Sequence, residues 1–342
     1  MGLKIADLVP KKEVSWADLA NKKIAVDASQ MLYQFASSIR QRDGTPLMDS
    51  QSRITSHLVG IFSRVSNLMK KNIKLCFIFD GKPPVLKIKE QEERAFRKRV
   101  ATEKLEKAKE DEDYDAMQKY SRQTVRLTRD MVDESKELLK YMGMPVIQAP
   151  SEAEAQASYM CKQGDVWAVA SSDYDCLIYK TPRLLTNLTL STRKRLPSGT
   201  YVSVHPEMIE LDDVLNHLGI EQDQLLAIAI LTGTDYNIGG VKGVGPKNAL
   251  KLVKEFKSFD KIFKEVKADF NWKQIYAVFK SMPVMINYQL KWGSPDDDKI
   301  KELLIEKHDF SEERVNKVLD SLNKYKKDKN QKGLSDFFGK KR

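Results

Sequence analysis

Short apolar runs alternate with longer amphipathic stretches along the first part of the chain. The runs at residues 24–26, 75–79 and 166–170 are candidate strands, and stretches of helical periodicity separate them. Strands that alternate with helices are typical of a parallel sheet with helical crossovers. After Leu211 the pattern is mostly helical. We therefore predict an α/β fold, with a central, mostly parallel sheet flanked by helices.

The pattern changes between residues 82 and 129, where charges of both signs replace large apolar side chains. Such a stretch is either a solvated helical excursion or partly disordered. Amphipathic periodicity returns at about Asp130, and that helix is expected to stop at Gly143. Beyond Tyr325 the chain is lysine-rich and polar, so we expect disorder there.

The composition excludes several classes of protein. The chain has 342 residues and a net charge of +10, of which residues 324–342 supply +6, so the remainder is only mildly basic. It contains no apolar run of membrane-spanning length, no signal-peptide core and no C-x-x-C pair, and its histidines are scattered singly. We expect a soluble intracellular protein without a structural zinc site or disulfide framework.

Acidic residues follow each of the candidate strands. Asp27, Asp80 and Asp173 come at or just after the three runs. Ligands of parallel sheets bind at the carboxyl ends of the strands, so these side chains are expected to converge. Asp175 would point the same way as Asp173 if the turn between them is extended. Asp235 follows a fourth apolar run, at residues 225–231.

Glu152 and Glu154 follow Ser151 in a segment that has two interpretations. The purely structural interpretation is a capping box, in which Ser151 and Glu154 satisfy the first backbone N–H groups of a helix. A single aspartate after a strand is likewise more often a turn or cap residue than a catalytic one. Taken together, however, converging carboxylates repel and need divalent cations or shared protons. Oxygen-only ligands favour Mg²⁺ or Mn²⁺ over Zn²⁺ and suit two-metal phosphodiester hydrolysis.

Basic residues follow Asp80 closely. Lys87 and Arg94 are seven residues apart, so on a helix they would share one face and could hold a phosphate group. Because three glutamates are interleaved with them, a solvated, salt-bridged helix is the alternative. Tyr33 could stack on a base or belong to the core.

A glycine-rich turn at residues 239–245 precedes a predicted helix with Pro246 near its start. The backbone N–H groups of Gly243 and Gly245, with Lys247 beside them, could bind phosphate without reading sequence. The alternative is an ordinary helix–helix connection. The turn is not a P-loop, because Pro246 stands where such a loop has lysine, so we infer no nucleotide hydrolysis.

The basic tail contains one apolar island, formed by Leu334, Phe337 and Phe338 after Gln331. An apolar cluster in a disordered segment usually binds a partner. The alternative is that it docks on the protein's own surface.

These motifs together resemble the flap endonucleases, the structure-specific 5′ nucleases of replication and repair, over essentially the whole chain. The strings that carry the resemblance are Val26-Asp27-Ala28-Ser29, Phe79-Asp80-Gly81-Lys82-Pro83-Pro84, Ala149-Pro150-Ser151-Glu152-Ala153-Glu154-Ala155, Ser171-Ser172-Asp173-Tyr174-Asp175, Gly233-Thr234-Asp235-Tyr236 and Gly243-Val244-Gly245-Pro246-Lys247.

The resemblance implies Mg²⁺-dependent removal of 5′ flaps from branched DNA, with possible 5′–3′ exonuclease activity, by a 5′-nuclease (PIN-like) fold. It implies two Mg²⁺ ions, which Mn²⁺ can replace, with seven ligands: Asp27, Asp80, Glu152, Glu154, Asp173, Asp175 and Asp235. Lys87 and Arg94 match the family's catalytic basic pair, and Tyr33 its stacking tyrosine. Gly243, Gly245 and Lys247 match a duplex-binding element that holds K⁺ in some members. Gln331, Leu334, Phe337 and Phe338 match a box that binds the sliding clamp (PCNA).

The resemblance also implies a domain organisation, a monomeric state and a location. The nuclease domain would span 1–325, followed by a flexible basic tail at 326–342 with the clamp-binding box at 331–338. Within it we expect an N-terminal part at 1–86, a charged helical arch at 87–130, an internal part at 131–235, a helix–two-turn–helix at 236–258 and C-terminal helices at 259–325. The chain is most similar to the archaeal branch, which would place it in the cytoplasm with the nucleoid; a eukaryotic member would be nuclear.

Three alternatives to a flap endonuclease remain at this point. A gap or excision-repair nuclease would use the same metal site but usually carries longer inserts. A haloacid-dehalogenase-type phosphatase would need D-x-D-x-T/V after a strand, which Asp173-Tyr174-Asp175-Cys176-Leu177 does not supply. A non-catalytic, clamp-tethered DNA scaffold would have no reason to gather seven carboxylates.

Overall fold

The computed structural model describes residues 5–41, 43–188, 193–195 and 200–324. The described strands are β1 (Lys12–Glu13), β2 (Lys23–Asp27), β3 (Lys74–Phe79), β4 (Val146–Gln148), β5 (Ala168–Ala170), β6 (Arg183–Thr186), β7 (Arg193–Arg195), β8 (Tyr201–Ser203) and β9 (Glu207–Glu210). Strands β7 and β8 form a separate two-stranded sheet, and the others form the central sheet.

The central sheet has the strand order β1-β9-β6-β5-β2-β3-β4. Strands β2 to β6 pair in parallel, whereas β9 pairs antiparallel with both β6 and β1. The predicted α/β fold with a mostly parallel sheet is therefore confirmed. The three strands that the apolar pattern identified, β5, β2 and β3, are neighbours at the centre of the sheet.

Helices cover both faces of the sheet. They are α1 (Ala28–Ser38), α2 (Ser56–Lys70), α3 (Ile88–Glu110), α4 (Tyr114–Ser121), α5 (Arg129–Tyr141), α6 (Ala153–Lys162), α7 (Asp175–Ile178), α8 (Leu211–Leu218), α9 (Gln222–Thr232), α10 (Pro246–Glu255), α11 (Phe259–Glu265), α12 (Trp272–Lys280) and α13 (Asp297–Lys301). A 3₁₀ turn covers Val85–Lys87, a π-helical turn covers Glu302–Glu306, and a last helix covers 312–324.

Alternate residues of each central strand enter different cores. In β3, Leu75 and Phe77 pack with α1, α2, α5 and the helices after residue 297, whereas Cys76 and Ile78 pack with helices α6 to α12. Because successive side chains of a strand point to opposite faces, an apolar run of this kind is what a sheet covered on both sides requires. This explains why β2 and β3 are apolar between their first lysine and the aspartate at their carboxyl end.

The charged stretch at 82–129 is helical rather than irregular over most of its length. It forms α3 and α4, and α3 buries only three residues, Glu90, Ala101 and Ala108. Of the two interpretations left open, the solvated helical one is the better description. No helix within the described ranges combines the length and apolar character that crossing a bilayer requires.

The segment 281–296 contains no helix or strand and links α12 to α13. Its polar groups bond to distant parts of the fold. The Trp292 indole N–H donates to the Leu75 carbonyl (2.6 Å), and the Gly293 N–H donates to the Gly143 carbonyl (2.8 Å). The segment therefore joins the C-terminal helices to the sheet and to the end of α5.

A buried histidine connects the C-terminal region to the connection between α1 and α2. The Nδ1 atom of His308 lies 2.8 Å from Asp49 Oδ2, and its Nε2 atom lies 3.0 Å from Glu134 Oε1. Burial acts to raise the pKa of Asp49, but hydrogen bonds from Arg53 and His308 lower it to about 2. A carboxylate with a lowered pKa stabilises the folded state above its ordinary pKa, and this contribution is lost as the pH falls towards the folded value.

Replacing Asp49 with asparagine should lower the free energy of unfolding at pH 7 by roughly 3 kcal/mol, because His308 and Arg53 lose a buried charged partner. The difference from wild type should shrink as the pH falls from about 4 to about 2, where the wild-type carboxylate becomes protonated. Urea unfolding at a series of pH values measures this, with the exposed Asp212→Asn variant as control. A difference that does not depend on pH would contradict the assignment.

Candidate active site

The three strand-end aspartates meet at one edge of the sheet. Asp27 is the last residue of β2, Asp80 follows β3 directly, and Asp173 comes three residues after β5. All three line one cleft of about 560 Å³, together with Glu152, Glu154, Asp235 and basic residues from α3. The structure therefore brings together six of the seven predicted carboxylates in the cleft lining.

Gly81 allows the segment that carries Asp80 to approach the segment that carries Glu152 and Glu154. The Gly81 N–H donates to the Ser151 carbonyl (2.6 Å), and a Cβ atom at position 81 would lie 2.2 Å from the Ala149 carbonyl oxygen. No larger residue fits without moving the backbone. The segment after β3 therefore lies directly against the segment that leads into α6.

The capping-box interpretation of Ser151 and Glu154 is wrong. Glu152 occupies the N-cap position without a side-chain capping bond, and the Ser151 hydroxyl donates to the Lys82 carbonyl (2.9 Å). The first turn of α6 instead receives an acceptor from another strand, because the Ala153 N–H donates to Asp80 Oδ1 (2.8 Å). Asp80 thereby holds both glutamates beside itself.

The carboxylates are close and poorly solvated. Oxygen atoms of Asp80, Glu152 and Glu154 all lie within 4.8 Å of one another. Burial, followed by repulsion from Asp80 and Asp173, raises the pKa of Asp27 to about 8. Burial and the neighbouring aspartates also raise the pKa of Glu154 well above its usual range. Cations are the natural partners of such a cluster.

The turn that carries Asp173 and Asp175 differs from the prediction. It is not extended: the Asp175 N–H donates to Asp173 Oδ1 (2.9 Å), and Asp175 begins the short helix α7. Asp175 is buried and does not belong to the cleft lining. It therefore lies behind the cleft, whereas Asp173 faces it.

Asp235 is placed by a compact loop after α9. The loop folds back because Gly233 and Gly240 both adopt positive φ angles and pack against each other. The Asn237 side chain accepts a bond from the Thr234 N–H (3.1 Å) and donates to the Ile230 carbonyl (2.7 Å). These contacts fix the backbone on both sides of Asp235.

Lys87 and Arg94 share one face of the 3₁₀–α3 segment and both reach the carboxylates. Lys87 Nζ lies 2.5 Å from Glu152 Oε2 and 3.2 Å from Asp235 Oδ2, and Arg94 Nη2 lies 3.2 Å from the same Asp235 oxygen. Burial acts to lower the pKa of Lys87, but the surrounding carboxylates raise it overall. The alternative of a solvated, salt-bridged helix holds only in part: Arg94 pairs with Glu90 of the same helix, but both cations also reach the carboxylate cluster.

Several residues of the site were not singled out from the sequence. Glu90 is 1% exposed and pairs with the Nε atom of Arg94. Gln30 in α1 accepts bonds from the Ser172 N–H (2.6 Å) and the Ser171 hydroxyl (3.1 Å), which joins α1 to the turn before Asp173. The spacing of Glu90 and Arg94 was a signal for the first contact. No local pattern indicates the second.

Tyr33 lies at the cleft and not in the core. It is 38% exposed, it lines the cleft, and Lys98 Nζ lies 5.6 Å from its ring centroid. Arg97 and Arg122 also line this side of the cleft. An exposed aromatic ring among cations is a suitable surface for a nucleobase and its phosphate.

The glycine turn lies outside the acidic cleft. Gly243 has a positive φ of 81°, and Gly245 is the N-cap of α10, with Pro246 at the first helical position as predicted. A Cβ atom at either glycine would meet nothing within 4 Å, and Lys247 is exposed. The backbone of the turn is therefore open to a ligand. The tail residues Gln331, Leu334, Phe337 and Phe338 lie outside the described part of the chain.

The cleft fits divalent metal ions of the magnesium type. Its donors are carboxylate oxygens, three of which lie within 4.8 Å of one another, and no histidine or cysteine of the described part of the chain lines it. Hard cations such as Mg²⁺ and Mn²⁺ prefer this donor set. They would also remove the repulsion between the buried acidic groups.

Comparisons with known proteins agree over the whole chain. The XPG N-terminal domain matches residues 3–101, and the XPG I-region matches residues 143–235. Flap endonuclease 1 of Thermococcus onnurineus is 47% identical, with 99% of this chain and 100% of that protein covered. Flap endonuclease 1 of Pyrococcus abyssi is 46% identical, with 100% of both chains covered.

Solved structures agree with these matches. Flap endonuclease-1 from Methanococcus jannaschii superposes with a TM-score of 0.77 at 41% identity, covering 96% of this chain and 100% of that one. The catalytic core of Rad2, solved in complex with DNA substrate, superposes with a TM-score of 0.69 at 23% identity, covering 94% of this chain and 100% of that one. The second likeness shows the shared fold.

Proposed function

Since the chain belongs to the flap endonuclease family, we propose that its acidic cleft hydrolyses a phosphodiester at the base of a 5′ flap with two bound divalent ions. The chain is a structure-specific nuclease. Its sequence similarity to flap endonucleases extends over the full chain, which favours cleavage of 5′ flaps over the excision-repair alternative. The observation that carries the metal proposal is the convergence of Asp80, Glu152 and Glu154 within 4.8 Å.

These three carboxylates would hold one ion, and Asp27, Asp173, Asp175 and Asp235 would complete the ligand sets. Bound Mg²⁺ would lower the pKa of the attacking water and stabilise charge on the phosphate. The backbone N–H of Asp175 holds Asp173 in place, and the buried Asp175 carboxylate would add a ligand from behind the cleft. Burial raises the pKa of the Asp27 and Glu154 carboxyls, because it removes the water that would solvate their charge. Bound cations would supply the missing stabilisation, so these carboxyls would bind the ions in their ionised form.

Lys87 and Arg94 would hold the scissile phosphate. Both cations already lie at the cleft, and both contact Asp235. When metal ions neutralise the carboxylates, the two side chains become available for an anionic ligand. Glu90 would keep the Arg94 guanidinium oriented through its Nε atom.

The surrounding surfaces would bind the rest of the DNA. Tyr33 would stack on a base, and the basic residues of α3 and α4, within the predicted arch at 87–130, would bind the single-stranded 5′ end. Gly243, Gly245 and Lys247 would bind duplex phosphates, together with K⁺ where the family uses it. The archaeal relatives support a cytoplasmic location, and we further propose a monomer that binds the sliding clamp through residues 331–338.

Single-turnover cleavage of end-labelled DNA tests the proposal. With Mg²⁺ we expect incision at the base of a 5′ flap, little incision of blunt duplex or single strands, and no incision in EDTA. Mn²⁺ should restore the activity that EDTA removes. Binding of flap DNA without incision in either metal would favour the scaffold alternative, and equal cleavage of all three substrates would contradict structure specificity.

A further inference from the structure

Helix α6 carries two of the proposed ligands but has few long side chains to fix its position. Glu152 is its N-cap residue and Glu154 lies in its first turn. Its buried residues are small, namely Ala153, Ala155, Ala157, Ser158 and Cys161, except for the apolar Met160 and the polar Gln156. Short side chains allow close approach to the sheet, but they make fewer contacts that oppose a shift along the helix axis.

Gln156 is the long polar side chain among the buried residues of α6, and its contacts are specific. It is fully buried, and it lies one turn after Glu152. Its Oε1 atom accepts from the Met285 N–H (2.6 Å), and its Nε2 atom donates to the Met285 carbonyl (3.0 Å). One side-chain amide thus satisfies both backbone groups of one residue, as a neighbouring β-strand would.

The partner of Gln156 is itself held by the rest of the fold. Met285 lies in the 281–296 segment, which bonds to β3 through Trp292 and to the end of α5 through Gly293. The Tyr288 hydroxyl also donates to Asp165. The segment therefore gives α6 a reference position that does not depend on the acidic cleft.

The first turn of α6 experiences a force that this contact can oppose. The carboxylates of Glu152 and Glu154 face Asp80 at less than 4.8 Å. Two unit charges at about 4 Å repel by roughly 4 kcal/mol at an effective dielectric constant of about 20. When these carboxyls are ionised and no cation is bound, this repulsion acts to separate α6 from β3, and the Lys87 ammonium beside Glu152 offsets part of it.

We infer that Gln156 is a positioning residue for the cation site: its two bonds to Met285 hold α6 so that Glu152 and Glu154 stay beside Asp80 before metal binds. This inference rests on the proposed metal-dependent function. Its consequence is thermodynamic. Losing the contact reduces the affinity for divalent ions, while cleavage at saturating metal stays close to wild type, because the ligands are unchanged once the ions hold them together.

The test compares Gln156→Met with Tyr288→Phe. The first keeps the side-chain length and removes both bonds between α6 and Met285. The second removes a bond from the same segment to Asp165, which follows the C-terminal end of α6, far from the turn that carries Glu152 and Glu154. Mn²⁺ binding to the DNA-free protein is measured by electron paramagnetic resonance, and the Mg²⁺ dependence of single-turnover cleavage is measured in parallel. We expect Gln156→Met to weaken Mn²⁺ binding about 10-fold, as expected for the loss of two hydrogen bonds of ordinary strength, and Tyr288→Phe to change it less than about 2-fold.

A second variant changes the other partner. Met285→Pro removes one backbone donor and leaves α6 unaltered, so Mn²⁺ affinity should fall in the same direction by a smaller factor. Mn²⁺ affinity at the wild-type value in both Gln156→Met and Met285→Pro would overturn the inference, as would equal losses in Gln156→Met and Tyr288→Phe. Absence of Mn²⁺ binding by the wild-type protein would instead refute the proposed metal site, so the two failures are distinguishable.

Discussion

Replacing Asp80 with asparagine should reduce the single-turnover rate of flap cleavage by about 10³-fold or more and leave the affinity for flap DNA nearly unchanged. Asparagine keeps an oxygen that can accept the Ala153 N–H, so the first turn of α6 retains its acceptor. The negative charge is lost from the place where Asp80, Glu152 and Glu154 converge. Losing about 4 kcal/mol of metal-dependent stabilisation of the transition state corresponds to roughly this factor.

The matched control is Asp212→Asn, which removes the same charge from an exposed position in α8. It should cleave like wild type. Measurement of the flap-DNA dissociation constant in Ca²⁺ or EDTA distinguishes a lost ligand from a disrupted fold. If Asp80→Asn loses DNA binding and cleavage in equal proportion, Asp80 does not act as a metal ligand.

Replacing Lys87 with methionine should slow single-turnover cleavage by about 10²-fold and should not weaken binding of divalent ions. Lys87 occupies a position among carboxylates, where its ammonium group contacts both Glu152 and Asp235. Removing that cation leaves the cluster more negative, which favours metal ions. The phosphate, however, loses a charged donor that stabilises the transition state, an effect of about 3 kcal/mol.

The prediction is specific because the cleavage rate should fall while the affinity for divalent ions should not. Lys89→Met is the matched control, because Lys89 is exposed and does not line the cleft. Arg94→Met should follow Lys87→Met in rate, since Arg94 contacts the same Asp235 oxygen. A Lys87→Met variant that cleaves at the wild-type rate but requires more Mg²⁺ would show that Lys87 only organises the carboxylates.

The sheet and the strand-end aspartates could be predicted because their signals are local. Apolar runs of three and five residues, each followed by an aspartate, are sufficient to place Asp27 and Asp80 at the same edge, once the strands are parallel. The metal-site prediction followed from this placement, because carboxylates that lie close together repel one another and require cations. The predicted domain boundaries and the clamp-binding box remain predictions.

Local rules failed where a distant residue took the place of a near one. Ser151 and Glu154 have the spacing of a capping box, but Asp80 accepts the bond from the first turn of α6 across 73 positions of sequence. The extended turn predicted for Asp175 gave way to a hydrogen bond between neighbours. Gln156 and Met285 are 129 positions apart. Patterns in one sequence indicate secondary structure and charge, but they carry no information on such pairs.

The position of the last helices has a consequence for how the protein is made. Ile300, Leu304 and Leu319 belong to the same core cluster as Ile24 and Val26 of β2. Helices α1, α2 and α5 contribute to this cluster earlier, but its covering is complete only when nearly the whole chain has left the ribosome. Contacts of such long sequence separation form slowly and late. The core beneath the cleft is therefore completed only when the last helices have been synthesised.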